Sequence, residues 1–513
     1  MTERPGTRLT TPPHPVRIDL TFDHAPMPRY IITHKRAGSR TVTEHRASRK
    51  VLENAMKRIP SAMLREHLEP DHATGRRTIV IEAEHGEAAS LRRRELQGLL
   101  IEPEMRVRLH AGTAVAPAPL HRFADIEVTG EGQALNSARV TMLYEDGGAI
   151  SSLPPAFTRK AGAAQVNYPA AIQPLFAIAE PHGGYWPMFH AEPGARVRFT
   201  CPPLPHDNAP LGWWHRESGI TQYDETLGRG IRIGIVGTGV GPHPRLRHVV
   251  LTDGKPDVER HETHVCGIIA SRPEAKGEFA GVAPGATVFS ACIFHRGPGG
   301  ETEAEHQGAV AHTIERLARP EKHRGYAVDL LNLSFGGPEP SRILKDAIRF
   351  AFEQGTLCIC SAGNNTGGAL DYPAAFPGTI AVTALGIKEW GPPGSTGTYW
   401  IPTQRKKFGK RGLYLAGMSS VGKGVGCTAP GNGIISTIPG SGRRAPYAAM
   451  DGTSLSSPMA CGVLAILLSR DAGYLKLPRT EQRADMARKI LSRNCASVGL
   501  HREFEGSGMP KVR

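Results

Sequence analysis

Apolar and polar positions divide this chain into three stretches with different periods. From residue 211 onward, short unbroken apolar runs recur: IRIGIV, ATVFSACIF, VDLLNLSF, GTLCICSAG and GTIAVTAL. Runs without alternation are what strands show when a parallel sheet is covered on both faces. Between them, AEHQGAVAHTIERLA and SRILKDAIRFAFEQ place apolar residues at helical spacing. The pattern predicts an α/β domain over 211–500, a parallel sheet flanked by helices. Residues 28–110 read differently. PRYIIT, RRTIVIEA and PEMRVRLHA predict strands, and RASRKVLENAMKRI and GEAASLRRRELQGLL predict helices. Their order, β-α-β-α-β, predicts a small α+β domain. Over 117–200 helical spacing is absent. There FADIEVTGEGQ, ARVTMLYEDGGAI, LFAIAE and ARVRFTCP, separated by Gly and Pro turns, predict an antiparallel β-sandwich. Residues 1–27, polar and Pro-containing, predict a flexible arm.

Composition narrows the compartment and the partners. No apolar run approaches the roughly 20 residues that span a bilayer. The opening MTERPGTRLTTPPHPVRIDL has no apolar region of the kind a secretory leader carries. These features predict a cytoplasmic protein with no membrane partner. The eight cysteines are dispersed, most of them inside apolar segments, which predicts buried free thiols. Cys358 and Cys360 face one side of a predicted strand, but two further ligands are not evident nearby, and no metal site is predicted. The formal charge of +14 comes from basic residues scattered along the chain. No nucleic-acid-binding signature accompanies them, so the charge predicts solubility and no nucleic-acid partner.

Candidate chemistry lies in the last domain. IRIGIVGTGVGPHPRL ends a strand, RHETHVCGIIAS opens a helix, CSAGNNTGG turns after a strand, and DGTSLSSPMACGVLAILLS opens a long apolar helix. Ser454 stands where that helix begins, so its backbone N–H faces outward at the positive end of the helix dipole. His261 also stands at a helix start, so both side chains can enter one cleft. A serine is a poor nucleophile alone, and a hydrogen-bonded histidine can take its proton. Singly, each residue has an ordinary explanation as a cap, a surface group or a turn former.

Together, and in this order, the four blocks resemble the subtilisin family (subtilases, peptidase family S8), as do LNLSFGG and CTAPGNGIIST. The resemblance covers about residues 211–475. It implies a serine endopeptidase with Ser454 as nucleophile, His261 as general base and Asn364 as oxyanion donor, acting on a protein or peptide substrate. It also implies that Ser334, Phe335, Gly336 and Asp371 contact that substrate. Asp371, before a Tyr-Pro pair, falls near the floor of the pocket for the residue preceding the scissile bond, where a carboxylate favours Arg or Lys. Structural calcium is common in the family; no ligands are assigned, and no cofactor is required.

Two departures bear on activity. Gly237 stands where the family has its triad aspartate, and Glu262 stands where it has glycine. Asp253, Asp257, Glu259 and Glu262 are candidate replacement carboxylates, all close to His261 in sequence. A peptide-binding pseudoprotease without turnover is the alternative function. Two other motif readings fail. The third glycine of a dinucleotide fingerprint would fall on Pro242. The histidines of HETH are three apart, not the four of a zinc helix. Residues 28–110 resemble the subtilase propeptide, which implies an intramolecular partner that caps the cleft. Residues 117–200 resemble a carboxypeptidase-regulatory-like or other Ig-like sandwich that spaces or binds. Residues 386–416 exceed the family pattern and carry Lys388, Arg405, Lys406, Lys407, Lys410 and Arg411, a basic insertion expected beside the cleft to attract acidic substrate regions.

Overall fold

The computed structural model describes residues 27–34, 50–54, 56–57, 59–68, 76–84, 86–87, 99–107, 120–146, 149–257, 259–297, 302–440 and 446–513. The expected N-terminal arm, up to residue 26, and most of the expected second helix of the small domain lie outside the described residues.

The apolar runs after residue 211 form one sheet. Its strands are β14 (Arg232–Gly237), β15 (Val250–Leu251), β16 (Thr287–Cys292), β19 (Leu330–Leu333), β20 (Leu357–Ser361), β21 (Thr379–Ile387) and β22 (Leu413–Leu415) in the order β15-β16-β14-β19-β20-β21-β22, with β23 (Val425–Pro430) also pairing β21. All pairings except β21 with β22 are parallel. Helices α1 (His261–Ala270) and α4 (Thr453–Ser469) cover one face, and α2 (Gln307–Ala318) and α3 (Arg342–Glu353) the other. Helix α4 is buried along nearly its whole length, which its apolar composition requires. Cys358 and Cys360 lie together in the core beneath α2 and α3.

The small N-terminal sheet is antiparallel in the order β2-β3-β1-β4, made of β1 (Arg29–His34), β2 (Leu64–Leu68), β3 (Thr78–Glu82) and β4 (Leu99–Pro103). Two strands differ from the sequence reading. The last strand is Leu99–Pro103 rather than PEMRVRLHA, so Leu99 and Leu100 leave the expected helix. The following residues pair with the larger domain instead: Gln307 N donates to the Met105 carbonyl at 3.0 Å, and Met105 N to Gln307 Oε1 at 2.8 Å. The edge strand β2, sequence LREHL, has no apolar alternation to announce it. Ile31 and Val80 of this sheet enter the core beneath α2 and α3. Arg76, fully buried, reaches Glu315 of α2 at 2.5 Å and Asp346 of α3 at 2.7 Å. Glu102 caps α3, accepting from Arg342 N at 2.7 Å and Ser341 Oγ at 2.8 Å.

Between these lies a two-sheet β-sandwich. One sheet is built on β5 (Leu120–Gly130), β10 (Ala163–Pro169) and β13 (Arg196–Thr200). The other is built on β7 (Arg139–Asp146), β8 (Ala149–Ser152), β11 (Pro174–Glu180) and β12 (Met188–Ala191). Ala124, Ile126 and Val128 alternate inward along β5, as a half-buried strand must.

Candidate active site

Ser454 is the second residue of α4, after Gly452 at φ +153°. A Cβ on Gly452 would lie 3.1 Å from Ser454 Oγ and 3.3 Å from Asn364 Nδ2, so both groups converge on one small space that a glycine leaves open. Asn364, on the turn after β20, is held by its carbonyl end. Its Oδ1 accepts from Thr453 N at 3.1 Å and Thr453 Oγ1 at 2.9 Å. The amide end thereby points to the serine. Pro458, four residues after Ser454, has no N–H to give the Ser454 carbonyl. The Ser334 hydroxyl donates to that carbonyl instead, at 2.8 Å, and itself accepts from Asn332 Nδ2 at 2.9 Å. Ser457 Oγ closes this buried chain on Asn332 Oδ1. A proline inside an apolar helix is the sequence signal that this carbonyl needs an outside partner; the identity of Ser334 as that partner is not readable from sequence.

His261 is the first residue of α1 and half-buried. Beside it, β14 ends at Gly237. A Cβ on Gly237 would collide with Glu262 Oε2 and lie 3.3 Å from Glu262 Cδ. The Glu262 carboxylate therefore fills the space where a side chain at 237 would begin. It is 1% exposed. Its Oε2 accepts from Gly239 N at 2.9 Å and its Oε1 from Ser290 Oγ at 2.6 Å. Burial pushes its carboxyl up to about 8, against the two hydrogen bonds, which favour ionisation. Asp257 is also raised by burial. It organises the approach to α1, accepting from Thr263 N at 2.9 Å, Thr263 Oγ1 at 2.5 Å and Thr238 Oγ1 at 2.8 Å. Asp253 stands at the end of β16, whose Cys292 pairs in register with Gly237. It accepts from Cys292 N at 2.8 Å. Glu259 takes Thr302 Oγ1 and the guanidinium of Arg296.

Ser334, Gly336 and Asp371 lie on adjoining segments, since Gly337 and Tyr372 exchange backbone hydrogen bonds of 3.0 and 2.8 Å. Asp371 is buried and accepts from Asn365 Nδ2 at 2.9 Å. The Phe335 ring sits in the core under α2 and α3. Residues 386–416 are largely half-buried or exposed but carry side chains that pack against the rest of the molecule. Trp390 Nε1 donates to the Gly433 carbonyl at 2.7 Å, and the Tyr399 ring packs 5.0 Å from Phe176 and 5.2 Å from Phe189 of the β-sandwich. Of the basic residues, Arg411 pairs with Glu217 at 2.6 Å and Lys388 lies over the Phe408 ring. Among the described residues, no group of three or more His, Cys, Asp or Glu side chains could hold a metal ion, so structural calcium has no donor set of that kind there.

Comparison with known proteins gives a consistent answer. The sequence profile of the subtilase family matches residues 228–504. Fervidolysin of Fervidobacterium pennivorans is 32% identical over 291 residues, covering 50% of this chain and 38% of that protein. The minor extracellular protease Epr of Bacillus subtilis is 28% identical over 284 residues, covering 54% of this chain and 37% of Epr. Subtilisin Savinase of Lederbergia lenta is 27% identical over 279 residues, 53% of this chain and 89% of that protein. The matches thus span little more than a third of the first two. The crystal structure of fervidolysin, a keratinolytic enzyme related to subtilisin, superposes with a TM-score of 0.57 at 21% identity over 95% of this chain and 61% of that one, a likeness of fold. With a family match over more than half its length on a parallel sheet flanked by helices, this chain belongs to the subtilase family, peptidase family S8.

Proposed function

We propose that the protein is a serine endopeptidase that hydrolyses peptide bonds through an acyl-enzyme on Ser454, with Glu262 supplying the carboxylate that Gly237 lacks. The observation that carries the first part is the convergence of Ser454 Oγ and Asn364 Nδ2 on the space beside Gly452. His261 takes the Ser454 proton as Oγ attacks the scissile carbonyl. The oxyanion is held by Asn364 Nδ2–H and the Ser454 N–H, and each such donor contributes about 3–4 kcal/mol in the transition state. His261 then returns the proton to the leaving amine, and water repeats the sequence to free the acid. Glu262, next to His261 and filling the space at Gly237, stabilises the imidazolium formed at each transfer. Asp257, tied to Thr238 and Thr263, shapes the loop rather than the charge transfer.

Ser334, the backbone at Phe335 and Gly336, and Asp371 form the pocket for the residue before the scissile bond, with a preference for Arg or Lys. A peptide-library profile indifferent to basic residues would remove that preference. The small N-terminal sheet acts as a propeptide-like domain, anchored through Arg76 and Glu102. Eight free cysteines, seven of them buried, suit a reducing cytoplasm. Among the described residues, no helix is long and apolar enough to cross a membrane.

A second reading, peptide binding without turnover, draws on Gly237 and on the burial that holds Glu262 protonated near neutral pH. A serine-directed fluorophosphonate separates the two. Labelling of wild type that disappears in Ser454→Ala supports the hydrolase; an unlabelled wild type, even at alkaline pH, supports the binder.

A further inference from the structure

The β-sandwich meets the catalytic domain at the two loops that carry His261 and Ser454. Arg260, immediately before His261, holds φ +63°, the left-handed region that disfavours every residue but glycine. Its guanidinium is drawn across to the sandwich. Nη2 lies 3.1 Å from Glu180 Oε1, and Nη1 donates to the Pro181 carbonyl at 3.3 Å. Glu180 ends β11, and Arg139 of β7 stands 3.9 Å from Glu180 and 3.8 Å from Glu259. Alternating charges therefore run from two sandwich strands to both residues preceding His261.

On the other side, Gly184 N donates to the Tyr447 carbonyl at 2.9 Å. A side chain on Gly183 would press on Pro446 and on that same carbonyl, each 3.2 Å away. Tyr447 begins the strand Tyr447–Met450, which leads directly through Asp451 to Ser454. Asp451 is itself held from the sandwich side. It accepts from Thr396 Oγ1 at 2.5 Å and Gly433 N at 2.7 Å, while Thr396 N donates to the Pro187 carbonyl at 3.0 Å.

We infer that the β-sandwich is part of the catalytic apparatus, with Glu180 and Arg260 as positioning residues that hold the turn before His261 in register with the Ser454 loop. An exposed ion pair alone would do little. Here the pair is partly buried, is joined by a carbonyl contact, and fixes a backbone turn that is unfavourable without support. The kinetic half of the inference rests on the hydrolase reading above; the structural half rests on these contacts.

The test uses the full chain as wild type, Glu180→Gln, Arg260→Gln and the double variant. Hydrogen exchange over residues 259–264 is read by mass spectrometry, and kcat and KM are read on one peptide substrate. Faster exchange in each single variant is expected, with kcat about tenfold lower and KM nearly unchanged, because the loss is one of alignment. The double variant should be no worse than the worse single, since both remove one contact. Unchanged exchange in Glu180→Gln overturns the inference, as does a loss carried wholly by KM or additive losses in the double variant. If wild type neither turns over nor labels at Ser454 while exchange still responds and the double variant is non-additive, the positioning contact stands and the hydrolase reading falls.

Discussion

At position 237 a glycine leaves room for a carboxylate from another part of the chain. The glycine there is not merely a loss, because the Glu262 side chain occupies the space it leaves. An aspartate added at 237 alone would meet that carboxylate at contact distance, so Gly237→Asp should lower kcat rather than raise it. Glu262→Ala should cost about 10⁴ in kcat, the scale of losing a triad carboxylate. The double variant Gly237→Asp with Glu262→Gly should recover much of that loss by restoring the family arrangement. Steady-state kinetics with active-site titration checks all three. The same residue sets a pH dependence. Burial raises Glu262 to about 8 from an ordinary 4.5. A carboxyl raised in this way contributes stability that is fully present below about 4.5 and is lost as pH rises through about 8. If Glu262 has the proposed role, catalysis needs its ionised form, so kcat/KM should climb through neutral pH towards 8 and above while Tm falls. In Glu262→Gln the fall of Tm over that window should flatten; an unchanged slope would show that the group titrates normally.

At the scale of elements, helix α4 combines an apolar length that buries it with a proline that has no N–H for the Ser454 carbonyl. Ser334 supplies the donor at the nucleophile's own carbonyl. Ser334→Ala leaves a buried acceptor unpaired and should cost about 1–3 kcal/mol in urea unfolding, with a fall in kcat because the first turn of α4 loosens. Ser334→Thr keeps the hydroxyl and should recover part of both. The parallel strands were legible because strands covered on both faces are apolar throughout. The edge strand β2 was not, since its polar, partly exposed side chains follow no alternation. Strand β4 was displaced because residues 104–107 extend onto the catalytic domain, a pairing that only the folded partner supplies.

Across the whole molecule, the three parts are held by buried and shared groups rather than by linkers alone. Arg76 is the clearest case. Arg76→Ala leaves Glu315 and Asp346 buried without their cation and should destabilise by about 3–5 kcal/mol. Adding Glu315→Gln and Asp346→Asn should return much of the loss, measured by chemical denaturation. The insertion 386–416 ties the β-sandwich to the catalytic loops through Trp390, Thr396 and Tyr399. Its deletion should lower Tm substantially at any ionic strength. A deletion that changed only the salt dependence of substrate binding would favour the charge-attraction role of its lysines and arginines.

The sequence by itself determined the sheet, the helices that carry Ser454 and His261, the turn that carries Asn364, and the absence of an aspartate at 237. These depend on local periodicity and on motifs whose spacing follows from helix and strand geometry. It left four carboxylates open for the missing role and assigned the β-sandwich no part in the site. Tertiary structure supplies the observations behind both proposals, the Glu262 carboxylate against Gly237 and the sandwich against Arg260. A side chain's reach into space left by another strand, and a salt bridge between residues 80 apart in sequence, depend on three-dimensional packing that no local pattern encodes.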